Sequence, residues 1–272
     1  MQNELQSAIR FDDFHAVFGS QGVVALAWWL GAQHVSQIRT EEQGFPFLYV
    51  TGRTGSGKTT LLSYLSTLNG SNSVTSYAPA HATPMGLARA LSDAGEHPVV
   101  LEDGYGSDRR FDWSQLAPLY KSEPIWVITQ GGHSQITFKG TLVISANPPI
   151  ECSKQFVSRT VHIDLLAPHT VNSRYHAESL QQLTADQASV FSQFVQRQAA
   201  QTISTIQRLA PVYAASLYDK HPSQPNARAT QIGGLLMALV DALSLTLNLS
   251  HEQRQEALGQ IEHNVALADL SY

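Results

Sequence analysis

The chain carries a single cysteine, Cys152, in 272 residues. One thiol rules out an internal disulfide framework and any zinc site built from several cysteines, and it fits a reducing compartment. A small, half-buried residue is its plainest role. Excess positive charge is also missing. The formal net charge of -5 argues against a surface that coats nucleic acid throughout, while leaving room for a local basic groove or pore. No apolar run approaches the ~20 residues needed to cross a bilayer. The patch Val23-Val24-Ala25-Leu26-Ala27-Trp28-Trp29-Leu30-Gly31-Ala32 is too short for that and reads as a buried helix. The start, Met1-Gln2-Asn3-Glu4, has an acid where a secretory signal carries bases. There is no internal repeat and no low-complexity tract. These absences predict a soluble, cytoplasmic chain with no membrane partner, long enough for one large domain or a core plus a smaller lid.

What is present centres on Phe47-Leu48-Tyr49-Val50-Thr51-Gly52-Arg53-Thr54-Gly55-Ser56-Gly57-Lys58-Thr59-Thr60-Leu61-Leu62. An apolar strand runs into a glycine-rich turn and then into an apolar helix, the context required for the phosphate-binding pattern G-x-x-x-x-G-K-[ST]. Gly52, Gly55 and Gly57 let the backbone curl with positive φ, so that amides of the Thr54 to Thr60 stretch, Ser56 included, point at phosphate oxygens. Lys58 then reaches the β- and γ-phosphates and the Thr59 hydroxyl lies on Mg²⁺. The helix beginning near Thr60 turns its positive end toward the same anion. The expected ligands are ATP and Mg²⁺.

Three regions are expected: an N-terminal helical segment over 1–44, an α/β core over 45–167 and an all-helical lid over 168–272. Residues up to about Gln43 read as helix, with Gly44-Phe45-Pro46 as the break. Strands are expected at 47–51, 98–102, 141–146 and 160–165, and helices at 58–68, 83–94 and 113–120. This alternation marks a parallel sheet covered by helices. Ile125-Trp126-Val127-Ile128-Thr129 and Ile136-Thr137-Phe138-Lys139 read as two arms of a hairpin around Gly131-Gly132. Beyond Pro168 long helices follow, with capping boxes at Thr184/Gln187 and Ser250/Gln253. Leu235, Leu236, Leu239, Val240 and Leu243 recur there at helical spacing.

Pro98-Val99-Val100-Leu101-Glu102-Asp103 is an apolar strand ending in two carboxylates. One would organise Mg²⁺ and the other would orient or activate the attacking water. An acidic turn after a buried strand is the alternative, and the order is the reverse of the usual Asp-then-Glu. Thr141-Leu142-Val143-Ile144-Ser145-Ala146 ends at Asn147, either a γ-phosphate sensor or a turn residue before Pro148-Pro149. Arg159 stands between a short helix and a strand, as a finger for a neighbouring subunit's γ-phosphate or as half of a local ion pair. Arg228 opens a helix and is either a second phosphate sensor or a solvated helix-start arginine.

These strings together resemble the ATPase module at the C-terminal end of primase-helicases carried by integrative elements and phages, which usually follows a Toprim primase portion. The likeness runs over almost the whole chain. It takes in Val24 to Gly31, Gln37-Ile38-Arg39, Phe45 to Leu48, the phosphate loop, Pro98 to Glu102 and Phe111 to Leu116. Val143 to Asn147, Ser158 to Ile163 and Leu236 to Leu243 complete it. The resemblance implies a P-loop NTPase core of AAA+-like, superfamily 3 helicase type, working as an ATP-driven DNA helicase in a homo-oligomeric, hexamer-like ring beside a primase in element replication. It further implies that Asn147 positions the lytic water and senses the γ-phosphate. The 125–139 hairpin, with His133 near its tip and Lys139 near its base, occupies the position of a hairpin that tracks single-stranded DNA in a ring's pore; a purely structural hairpin is the alternative. The chain departs from the pattern in lacking a primase portion and in its weakly basic 121–128 stretch. A non-motor ATP switch that recruits protein partners, and a small-molecule kinase, remain as other readings of the same loop.

Overall fold

The structure, a computed structural model, describes residues 2–71, 73–103, 110–129, 132–147, 149–165, 171–220 and 226–270. In chain order they form α1 (Gln2–Ala8), α2 (Phe11–Ala32), α3 (Val35–Glu42), β1 (Phe47–Thr51), α4 (Lys58–Leu68), β2 (Ser76–Tyr77), α5 (Pro84–Ala94) and β3 (Val99–Glu102). A 3₁₀ helix over Trp113–Lys121 leads to β4 (Ile125–Thr129), β5 (Gly132–Ile136), β6 (Leu142–Ala146), α6 (Lys154–Val157) and β7 (Thr160–Asp164). Then come α7 (Val171–Gln181), α8 (Ala185–Arg197), α9 (Ala199–Lys220), α10 (Ala227–Leu247) and α11 (His251–Leu270). Contacts divide the chain into two compact units. A sheet unit holds Ala32–Thr54 and Thr75–Ile163, and a helical unit holds Met1–Gly31, Gly55–Val74 and Asp164–Tyr272.

The sheet has five strands in the order β2-β3-β6-β1-β7, and the β2–β3, β3–β6 and β6–β1 ladders are parallel. Every residue of β1 and β6 is buried, as expected of strands covered on both faces. Phe47, Tyr49, Leu101, Leu142 and Ile144 lie on one face and pack with Trp113, Leu116 and Phe156. Each such side chain contributes about 1.5–3 kcal/mol when fully buried. Edge strand β2 has only two residues, too short to leave a periodic signal.

The ribbon of β4 and β5 is antiparallel and pairs Thr129 with Gly132 through to Ile125 with Ile136. The second arm is therefore 132–136 and not 136–139. Ladder hydrogen bonds are made by the backbone, so the weakly β-forming Gly-His-Ser-Gln segment can serve once its partner strand is in place. Phe138 leaves the ladder instead and is 1% exposed in the core. Gly131 of the turn, Pro148 and Pro168 lie outside the described residues, as does the side chain of His133.

The N-terminal helical stretch consists of α1, α2 and α3, of which α1 and nearly all of α2 belong to the helical unit. Arg10 has φ 52° and Gly19 φ 52°, which break and kink the run. Arg10 donates to the Ser179 hydroxyl (2.8 Å) on α7, while Asp13 pairs with His176 (2.6 Å) and accepts from Ser179 (2.5 Å). Tyr64 of α4 stacks on Phe14 at 4.4 Å and donates to the Ile9 carbonyl at 2.9 Å. Both expected capping boxes form. Helix α10 is long and apolar enough to span a membrane by composition, interrupted by hydroxyls and an acid, yet 78% of its apolar window is buried inside the protein. Asp241 of α10 accepts from Tyr213 of α9 (2.7 Å) and Arg254 of α11 (2.6 Å), and Arg254 also donates to the Tyr213 oxygen (3.0 Å).

Candidate functional site

β1 delivers the chain to the glycine-rich loop. Gly52 (φ 150°), Gly55 (φ 80°) and Gly57 (φ 94°) have the positive φ expected of them. Gly57 is the left-handed N-cap of α4, a conformation that costs any other residue strain. Nothing lies within 4 Å of a Cβ built at Gly55, so backbone angle and not space reserves that position for glycine. The loop then gives way to Lys58, the first residue of α4, whose amine burial pushes below the ordinary lysine value. Thr59 is exposed, and Ser56 and Thr60 are half-buried. The Ser56 hydroxyl oxygen is shut off from solvent with no hydrogen-bond partner among the described residues. A sequestered hydroxyl without a partner costs about 1–3 kcal/mol, so its place in the loop fits an anion.

Within the sheet unit, parallel pairing levels the ends of three strands. Thr51 is paired with Ala146, and Glu102 with Ser145. The C-terminal end of β1, the two acids after β3 and the amide after β6 therefore share one edge. The Asn147 Nδ2 donates to the Thr54 hydroxyl at 3.4 Å, a long bond that links the end of β6 to the loop. Asp103 is held by its amide, which donates to the Ser145 carbonyl at 3.0 Å. Successive residues of a strand face opposite sides. Glu102 thus shares a face with Val50 and Ser145, while Asp103 shares one with Tyr49 and Leu101. Glu102 is exposed and Asp103 half-buried. Tyr49 supports the same edge, its hydroxyl accepting from the Ile150 amide at 2.8 Å just beyond Asn147.

Arg159 is elsewhere. Its carbonyl accepts from the Phe47 amide (2.9 Å) at the start of β1, so five residues of strand separate it from Gly52. At about 3.3 Å per residue that is roughly 16 Å, too far for an arginine side chain of the same subunit to reach the loop. Its guanidinium donates to the Gln155 carbonyl of α6 (2.5 Å) and lies 5.9 Å from the Tyr120 ring centroid. Arg228 is half-buried in the first turn of α10, in the helical unit. His133 is placed on β5, and Lys139 follows it, exposed. A groove of about 260 Å³ lined by Thr83, Leu87, Phe111, Gln115, Pro124 and Trp126 includes none of the residues expected to act on a nucleotide.

The Thr59 hydroxyl and the Glu102 and Asp103 carboxylates are each hard oxygen donors of the kind Mg²⁺ takes. No group of three or more metal-binding side chains occurs among the described residues. Two or three protein oxygens are what such an ion takes when phosphates and water complete its shell. Sequence reasoning passed over the parts played by Arg39 and Tyr120. The Nε of Arg39 donates to the Tyr120 carbonyl, and its guanidinium nitrogens donate to those of Leu119 and Lys139. The readable signal was Val35, Ile38 and Arg39, which share the buried face of α3.

No protein-family model matches the chain, and no curated protein matches it in sequence. Among solved structures it is similar to the active helicase Cch of SCCmec type IV. That match covers 94% of this chain with a TM-score of 0.68 and 13% identity, and this chain spans 50% of that protein's length. A candidate ATPase from Cytophaga hutchinsonii matches 94% of this chain and 85% of its own, at 12% identity and a TM-score of 0.49. The fold is that of a P-loop NTPase of AAA+-like type, a parallel-sheet core with a helical C-terminal region.

Proposed function

We propose that the chain is the ATP-hydrolysing, helicase-like motor of a mobile element or phage, acting on DNA as a homo-oligomeric ring beside a primase. The observation that carries the reading is the common edge formed by the C-terminal ends of β1, β3 and β6, which carries Glu102, Asp103 and Asn147, with Asn147 bonded to Thr54. Similarity in fold to the Cch helicase supports it.

In this reading the loop amides and Lys58 bind the β- and γ-phosphates, and the Ser56 hydroxyl finds there the partner it lacks. Thr59 and one carboxylate would hold Mg²⁺, which would supply charge neutralisation for the phosphoryl group. The other carboxylate draws a proton from the attacking water. Asn147 orients that water and, through Thr54, reports the state of the γ-phosphate. Arg159 acts on the nucleotide of a neighbouring subunit, since 16 Å of strand keeps it from its own, by roughly the rise given above. Arg228 is a further phosphate sensor from the helical unit.

One observation favours a non-motor switch that recruits protein partners. The ribbon strands, 125–129 and 132–136, contain no lysine or arginine, whereas contact to a nucleic-acid backbone draws on both. Steady-state ATP hydrolysis with and without single-stranded DNA, alongside Lys58→Ala, separates the two. Stimulation by DNA that vanishes in Lys58→Ala is the expected result. Hydrolysis indifferent to DNA would overturn the motor and favour the switch, and no hydrolysis at all would overturn both.

A further inference from the structure

Arg39 is a cation that the proposed chemistry leaves unused, and it is only 9% exposed. Burial lowers its pKa to about 10. Its partners among the described residues are main-chain carbonyls: Tyr120 at 3.1 Å, Leu119 at 2.9 Å and Lys139 at 2.7 Å. Burying a charge without a carboxylate is costly, and hydrogen bonds to several oriented dipoles are what make it tolerable.

Those carbonyls come from the two roots of one excursion of the chain. Leu119 and Tyr120 end the 3₁₀ helix that leads into β4, and Lys139 lies on the segment that returns from β5. The Ser122 hydroxyl ties the same roots again by donating to the Phe138 carbonyl at 2.5 Å. Arg39 thereby clamps the base of the ribbon.

The Tyr120 ring continues this clamp toward Arg159. A Cβ at Gly44 would fall 2.0 Å from the ring's Cε1, so glycine there is what lets the ring lie against the chain. Phe47 meets the ring edge-on at 6.4 Å and 88°. On the ring lies the Arg159 guanidinium at 5.9 Å, within the range of a cation–π contact. Tyr120 thus has its backbone in the ribbon's root and its ring under the one arginine expected to cross a subunit boundary.

We infer that Arg39 and Tyr120 are positioning residues: Arg39 locks the roots of the ribbon, and the Tyr120 ring built on those roots presents Arg159 to the neighbouring subunit. The inference rests on the ring reading proposed above. A plain structural staple would use the same hydrogen bonds, so the test needs a readout that lost folding does not move.

That readout is rescue in mixed rings. The full chain is made as Arg159→Ala, Tyr120→Leu, Arg39→Met and Arg39→Lys, and each is assayed alone and mixed with Lys58→Ala. Lys58→Ala subunits lack a working phosphate loop but carry an intact Arg159 on an intact Tyr120. Arg159→Ala alone should lose about 10³- to 10⁵-fold in kcat, the range of an arginine finger, and should regain activity on mixing. Tyr120→Leu and Arg39→Met should lose up to about 100-fold in kcat, as expected for misplacing a catalytic group by about 1 Å, with KM for ATP unchanged. They should be rescued by Lys58→Ala as Arg159→Ala is. Arg39→Lys, a single point donor, should fall between Arg39→Met and the unaltered chain. If Arg39→Met does not fold, Tyr120→Leu and Arg39→Lys carry the test alone. Full activity in Arg159→Ala would sink the finger and this inference together. Arg159→Ala rescued while Tyr120→Leu and Arg39→Lys are unimpaired, or are impaired without rescue, would sink the inference and leave the finger standing.

Discussion

Replacing Gly234 by alanine puts one methyl group where α10 crosses α9. The new Cβ would stand 2.5 Å from the Ala210 carbonyl oxygen, 2.7 Å from the Ala214 amide nitrogen and 2.9 Å from the Ala214 Cβ. Ordinary contact begins near 3.4 Å, so the helices must separate by roughly 0.9 Å, as rigid interiors transmit such strain. Two of the three obstacles are backbone atoms and cannot rotate aside. A gap of that size forfeits about a quarter to a half of each contact's dispersion energy, and α10 is buried along most of the stretch from Thr230 to Leu247. Overpacking costs about 1–3 kcal/mol, and the upper end applies where the obstacles are backbone. Alanine's better helix propensity returns about 1 kcal/mol, leaving a net loss of about 2 kcal/mol. Gly259 on α11 supplies the control, because nothing lies within 4 Å of a Cβ built there. The same substitution at Gly259 should gain about 0.5–1 kcal/mol. Urea unfolding followed by circular dichroism measures both, and the two variants should differ by about 3 kcal/mol, the sum of those estimates. Gly234→Ala within about 0.5 kcal/mol of the unaltered chain, the scatter of neutral surface changes, would refute the reasoning.

Burial alone would raise the Asp13 carboxyl, but the Ser179 hydroxyl, His176 and Arg10 outweigh it and hold its pKa below the ordinary 3.8. The folded state then binds that proton less tightly than the unfolded one. Its stabilisation is complete above pH 3.8 and is lost as pH falls through the lower folded value. Asp13→Asn should therefore flatten the dependence of Tm on pH below that point, and parallel profiles would contradict it. Ser56→Ala should leave the nucleotide-free Tm unchanged or slightly higher, since a hydroxyl without a partner is removed. The rise in Tm produced by ATP should shrink in that variant; an undiminished rise would mean that the hydroxyl does not meet phosphate. Asp241→Ala strands Tyr213 and the partly buried Arg254. It should cost about 2 kcal/mol, below the ~3–5 kcal/mol of a fully buried pair because Arg254 keeps some solvent, and an unchanged urea midpoint would count against the network.

The features legible in the sequence were those fixed by neighbouring residues. Strand, glycine turn and helix from Phe47 to Leu68, the capping boxes at Thr184 and Ser250 and the acids ending β3 depend on local backbone chemistry. The second ribbon arm was displaced because its pairing is decided by Ile125 to Thr129 and not by its own propensities. Arg39 sits on the apolar face of α3, but its carbonyl partners are 80 to 100 positions away. Nothing local marks them. The distance of Arg159 from the loop likewise follows from the hydrogen bond between Arg159 and Phe47, a pairing of residues far apart in the chain.

The opposed faces of Glu102 and Asp103 give the reversed acid order a geometric meaning. With one carboxylate on each side of β3, exchanging the two residues would leave a negative charge on both faces. What would change is the length of each arm. The Val50 side now carries the longer glutamate and the Tyr49 side the shorter aspartate, and the opposite order would move each carboxylate by about one carbon–carbon bond, ~1.5 Å. In the proposed site, where one of the two would meet an ion and the other a water, the order of these two residues sets the reach of each carboxylate.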